Sequence, residues 1–150
     1  MIAMTVAIVF LALGLVHVYW ALGGSIGFVA ALPTLPSQQA ANTPQHPAGP
    51  TRLAFKPSAA STLAVAAGLV TIALMVALRA GLLGTPVTHW ALAWGIGILA
   101  TIMFARAVGD FRLVGFFKKV TSTPFAQMDT WAYSPLCVAL GFGLAAVALT

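Results

Sequence analysis

Residues 2–22 read IAMTVAIVFLALGLVHVYWAL. The reading of this stretch decides how many helices the chain has and in which direction it is threaded. The stretch is apolar and runs into small residues, Gly23 and Gly24, as a cleavable signal peptide would. A signal peptide, however, opens with a positively charged segment and carries an apolar core of about 7–15 residues. Here no Lys or Arg precedes Arg52, and the apolar run is longer. It is therefore expected to be retained as a transmembrane helix, for which about 20 mostly apolar residues are needed.

Three more apolar runs lie downstream, at about 59–78, 88–105 and 132–149. They are continuous, without the alternation of a barrel strand. In lipid every backbone polar group must be paired within its own segment, so the runs are read as helices. The expected fold is all-α, an integral membrane four-helix bundle forming a single domain over residues 1–150. Composition agrees: of the 150 residues, 61% are hydrophobic and 6% are charged, whereas soluble domains carry about 25% charged residues.

Between the first two helices lies a proline-rich linker at about 33–57, containing Pro33, Pro36, Pro44, Pro47, Pro50 and Pro57. It reads as an extended tether, with no regular structure expected over 37–50. Residues 25–35 before it remain apolar and are expected to lie along the membrane surface. The short link at 79–87 makes the second and third helices antiparallel neighbours. Loops one and three hold Arg52, Lys56, Arg106, Arg112, Lys118 and Lys119, against Arg79 alone in loop two. Positively charged loops stay in the cytoplasm. The expected setting is thus the cell's inner (cytoplasmic) membrane, with both termini outside.

Residues 106–133 hold both acidic side chains of the chain, Asp110 and Asp129, together with four of its seven basic ones. The threading brings this stretch to the same membrane surface as the end of the first helix. A candidate polar cluster follows: His17, Trp20, Arg106, Asp110, Arg112, Asp129 and Tyr133. Arg106 and Asp110, four apart, would meet on one face if the third helix continued through Asp110. Ion pairing that fixes helix ends is the favoured reading. The alternative is a pocket that binds an anionic headgroup or moves a proton. His17 sits inside an apolar helix and needs a partner, most simply across to another helix. Ser134-Pro135 reads either as a helix start or as a bend in a helix begun at Asp129 or Thr130. Small residues recur at 64/68, 91/95 and 139/143, which supports close helix packing.

No catalytic motif is present, and one cysteine excludes a cysteine-cluster metal site. No haem is expected, because His17 and His89 lie at opposite ends of the threading, on the order of 20 Å apart at 1.5 Å per residue. No cofactor or metal is expected. The scattered cations do not describe a nucleic-acid surface. The expected partners are the lipid bilayer and either a second copy of the chain or a larger membrane complex.

The pieces HVYWALGG (17–24), ARAVGDFRLVGFFKK (105–119) and MDTWAYSPLC (128–137) resemble a family of small bacterial four-helix integral membrane proteins with a domain of unknown function. The resemblance covers the first, third and fourth helices. It implies four transmembrane helices and carries no established activity.

Overall fold

The computed structural model describes residues 1–35, 52–54 and 56–150. Most of the linker read as a tether, including all of 37–50, lies outside the described residues. The helices are α1 (Ile2–Ala21), α2 (Ala59–Arg79), α3 (Trp90–Val108), α4 (Pro124–Met128) and α5 (Ser134–Ala148). A π turn, Asp129–Tyr133, joins α4 to α5 without a break. Among the described residues four units are long and apolar enough to cross a membrane: α1, α2, α3 and the composite Pro124–Ala148. The protein is an all-α, multi-pass membrane four-helix bundle.

Local chemistry sets the helix boundaries. Ser58 caps α2 by accepting the Ser61 N–H at 3.1 Å, and His89 caps α3 by accepting the Ala91 N–H at Nδ1, 3.2 Å away. The last membrane-crossing unit starts eight residues before the expected 132, because Thr123 caps it from Oγ1 and Pro124 occupies the first position. Proline is favoured there because the N–H it lacks would have no partner. Pro135, in contrast, falls inside the composite helix. The N–H of Ser134 reaches back to the carbonyl of Asp129, five residues away, so the helix widens just ahead of the proline instead of ending. Neither expected reading of Ser134-Pro135 names the true cap, Thr123.

The helices pair chiefly as α1 with α2 and α3 with α5, and α1 against α5 closes the bundle. The expected α2–α3 neighbours do touch, but lightly. The core is Val6, Phe10, Ala73, Val76, Ile96, Ala100, Leu140, Leu144 and Val147. Close approach rests on glycine: a Cβ at Gly14 would lie 2.9 Å from Val70 Cγ2, and one at Gly143 2.5 Å from Val6 Cγ2. Of the small-residue pairs read from the sequence, 139/143 serves α1–α5 packing and 91/95 faces Met75, while Gly68 looks into open space. At the end bearing the chain termini, Arg79 donates from Nη2 to the Ala148 carbonyl at 3.4 Å, where a cation meets the negative end of the α5 dipole.

At the other end, loops one and three pack together, in keeping with the alternating threading. The apolar stretch after α1 folds into a 3₁₀ turn, Val29–Ala31, that packs on α4. A two-residue antiparallel ladder follows, Thr34–Leu35 (β1) with Arg52–Leu53 (β2). The linker read as starting at about 33 therefore leaves and re-enters the bundle at neighbouring points.

Candidate functional site

Loop three is built around its two aspartates. Helix α3 stops at Val108 because Gly109 adopts φ 90°, a left-handed conformation that glycine tolerates. Asp110 then turns its carboxylate onto the loop itself. Oδ1 accepts N–H groups from Arg112 at 2.9 Å, Leu113 at 2.7 Å and Val114 at 3.0 Å. These bonds, led by Arg112 and Leu113, hold its carboxyl below the usual carboxylate range. The loop closes where Asp110 N–H meets the Val114 carbonyl at 3.2 Å and Phe116 N–H meets that of Ala107 at 2.8 Å. The backbones of Gly109 and Gly115 lie so close that a Cβ on Gly109 would sit 1.8 Å from the Val114 oxygen.

Asp129 holds this closed loop onto the bundle. It is 0% exposed. Its Oδ1 accepts from Arg106 Nη2 at 2.9 Å, and its Oδ2 accepts from Gly115 N–H at 2.7 Å and Lys118 Nζ at 3.2 Å. The Lys118 side chain, 1% exposed, also donates to the Gly115 carbonyl at 2.9 Å and to Thr130 Oγ1. Such a cluster is tolerated away from water only when each charge is paired and hydrogen-bonded. Two polar atoms near it are left over: Nη1 of Arg106 and Oγ of Ser134 are buried without a hydrogen-bond partner.

The seven expected cluster residues separate into three groups. Arg106 and Asp129 meet directly. Asp110 and Arg112 do not join them. The expected Arg106–Asp110 pair is replaced, because α3 ends before Asp110 and the Asp110 carboxylate is occupied by loop N–H groups, while Arg112 is exposed. Trp20 and Tyr133 hold loop one, and His17 stays within its own helix beside Trp20. His17 Nδ1 donates to the Leu13 carbonyl of its own helix at 2.8 Å, not across to another helix, and its ring meets Trp20 edge-on at 5.0 Å. Trp20 Nε1 donates to the Ile26 carbonyl at 2.8 Å, and the Tyr133 hydroxyl to that of Ala30 at 3.3 Å. Among the described residues no hydrogen bond links His17 to Arg106 or Asp129.

Lys118, Gly115 and Thr130 were not among the expected site residues. In sequence Lys118 is indistinguishable from Lys119. Only closure of the loop turns one inward and leaves the other exposed. Among the described residues no group of three His, Cys, Asp or Glu side chains could hold a metal ion. An apolar groove of about 540 Å³ lies elsewhere, between α1 and α5, with Thr5 as its polar side chain among Ile2, Val6, Phe142 and Ala146.

Comparison with curated proteins and with solved structures gives no match. The family model described as "Protein of unknown function (DUF3995)" matches residues 10–144, which take in α2, α3, the greater part of the first and last membrane-crossing units and the loop that Asp129 anchors, and the chain belongs to that family.

Proposed function

We propose that this protein is a non-enzymatic membrane module that packs with copies of itself or into a larger complex, its polar cluster serving to fix one end of the bundle. One observation carries this reading: the buried carboxylate, Asp129, is filled on both oxygens by the protein's own donors, and the exposed one, Asp110, commits Oδ1 to three N–H groups of its own loop. A general base or proton carrier needs a carboxylate within reach of the group it serves, and Asp129 is sealed from water. Gly68 on α2 and Gly97 on α3 have open space where a Cβ would be, which gives a neighbouring helix room to approach. The cation-rich end is assigned to the cytoplasm, with both termini outside the cytoplasmic membrane.

Two measurements test the reading together. Vesicles carrying the reconstituted protein and an internal pH dye should show no proton flux above empty vesicles. Native mass spectrometry of mildly extracted protein should give a mass above that of the 15.5 kDa chain with its lipids. A proton flux abolished by Asp129→Asn, or a purely monomeric mass, would overturn it.

A second reading, a small-anion site, is favoured by the unpaired Nη1 of Arg106 and by two cations facing one carboxylate. Inorganic phosphate would then raise the melting temperature of the wild type but not that of Arg106→Gln. Equal responses would remove this reading.

A further inference from the structure

Exposed apolar side chains on α1, α2 and α3 need no special partner, since those helices are long and apolar enough to face lipid tails. Three phenylalanines are different. Phe111, Phe116 and Phe117 are 57%, 46% and 64% exposed, yet they lie beyond Val108, the last residue of α3. They belong to a closed loop, not to a spanning helix. Phe111 is also the one non-glycine residue with positive φ, 60°, among the described residues. Such a backbone is unfavourable for a residue with a Cβ and persists only where the surroundings enforce it. Here the three N–H groups that follow it are fixed to the Asp110 carboxylate, and its ring lies 6.3 Å from that of Phe117.

The charges are sorted in the same way. Lys118 is turned into the protein onto Asp129, while its neighbour Lys119 and, across the loop, Arg112 are exposed beside the phenylalanines. Asp110 uses its carboxylate on the loop backbone, and Asp129 is enclosed by donors. The outer surface of the loop therefore offers three aromatic rings and two cations against one exposed carboxylate, Asp110, whose Oδ1 is already taken by loop N–H groups. Aromatic and apolar side chains at the headgroup–acyl boundary, with cations beside the phosphates, are the chemistry that holds a segment on an anionic bilayer.

We propose that residues 111–119 form a preformed anionic-phospholipid site. In it, Phe111, Phe116 and Phe117 enter the acyl boundary of the surrounding bilayer, and Arg112 and Lys119 engage lipid phosphate. The occupant is a lipid headgroup and not a soluble phosphate, because the rings would otherwise stand in water. The site is independent of whether the bundle assembles with other chains. The five side chains it presents to lipid are not among the groups that bind Asp129.

The test is competitive lipid capture. The full-length protein is placed in nanodiscs of phosphatidylcholine mixed with phosphatidylglycerol, and the lipids retained on gentle extraction are counted by native mass spectrometry. The wild type should retain phosphatidylglycerol in preference to phosphatidylcholine. Each of Arg112→Gln and Lys119→Gln should lower that preference about fivefold, the equivalent of about 1 kcal/mol per cation near an anionic surface. Both side chains are exposed and make no side-chain hydrogen bond among the described residues, so the variants should fold, which circular dichroism verifies. Phe111→Ser with Phe117→Ser should lower retention of both lipids. An unchanged preference in the folded Arg112→Gln/Lys119→Gln double variant would overturn the proposal. So would equal displacement of phosphatidylglycerol by millimolar inorganic phosphate and by added lipid.

Discussion

Replacing Asp129 by alanine tests the central feature of the site. The carboxylate is 0% exposed and joins Arg106, the Gly115 N–H and Lys118. These partners differ in how far each can recover. The Arg106 side chain is 33% exposed and can turn its fork toward water. The Lys118 side chain is 1% exposed and would keep only the Gly115 carbonyl and Thr130 as uncharged partners. Removing one member of a buried pair costs about 3–5 kcal/mol, mostly from the charge left behind. The orphaned Gly115 N–H makes up part of that total, at about 1–3 kcal/mol for a buried unsatisfied group. Asp129→Ala is thus expected to destabilise by about 3–5 kcal/mol. Asp129→Ala with Lys118→Met removes the stranded charge but keeps an apolar stem, and should cost only about 1–3 kcal/mol, the share of Gly115. The assay is reversible unfolding in micelles or bicelles, followed by circular dichroism, over the full double-mutant cycle. If the double variant is as unstable as Asp129→Ala alone, or if the single change costs less than about 1 kcal/mol, buried charge pairing is not what holds loop three.

Asp110→Ala should loosen the closed loop by about 1 kcal/mol, the usual worth of a side-chain cap, with faster amide exchange at Arg112, Leu113 and Val114. Because the folded carboxyl of Asp110 is held below its ordinary value, its contribution is present above the unfolded value and fades as pH falls through the folded one. A pH series of melting temperatures should therefore converge for wild type and Asp110→Ala at acid pH. The side chain is exposed, so the effect should be small. Gly143→Ala puts a Cβ 2.5 Å from Val6 Cγ2 and should cost about 1–3 kcal/mol by thermal unfolding. Gly68→Ala meets open space and should be neutral or slightly stabilising in the monomer, by up to about 1 kcal/mol. A reporter fused after Thr150 should be active only when the reporter requires the outer side.

The four spans were legible because lipid leaves few options: long apolar runs must be helices, and their approximate ends follow from charge and proline. Two features of loop three were not legible. Helical spacing alone joins Arg106 to Asp110, but Gly109 stops the helix, and local N–H groups compete better for a carboxylate one residue beyond a glycine. Asp129 lies 23 residues from Arg106, so their pairing depends on how α3 meets α5, which spacing does not encode. Convergence of His17 and Trp20 with the Arg106 side of the bundle was expected from threading depth. Depth fixes the end of the molecule, not the face of the helix: His17 bonds within its own helix, and Trp20 serves loop one. The early start of the last span was hidden by the polar residues of 121–130, although Thr123-Pro124 is a recognisable cap.

The π turn before Pro135 also works as a one-residue phase adapter. In an α-helix each residue advances the helix by about 100°, and one residue accommodated in a widened turn offsets everything upstream by about that angle. Downstream, Leu140, Leu144 and Val147 point into the core. On an uninterrupted α-helix Asp129 would lie close to the same line as these residues. With the turn in place, its carboxylate is swung toward α3, where Arg106 waits. Deleting Ala132 would leave Leu140, Leu144 and Val147 in register while rotating Asp129 away from its guanidinium partner, so a single missing residue should uncouple loop three from a bundle that still assembles.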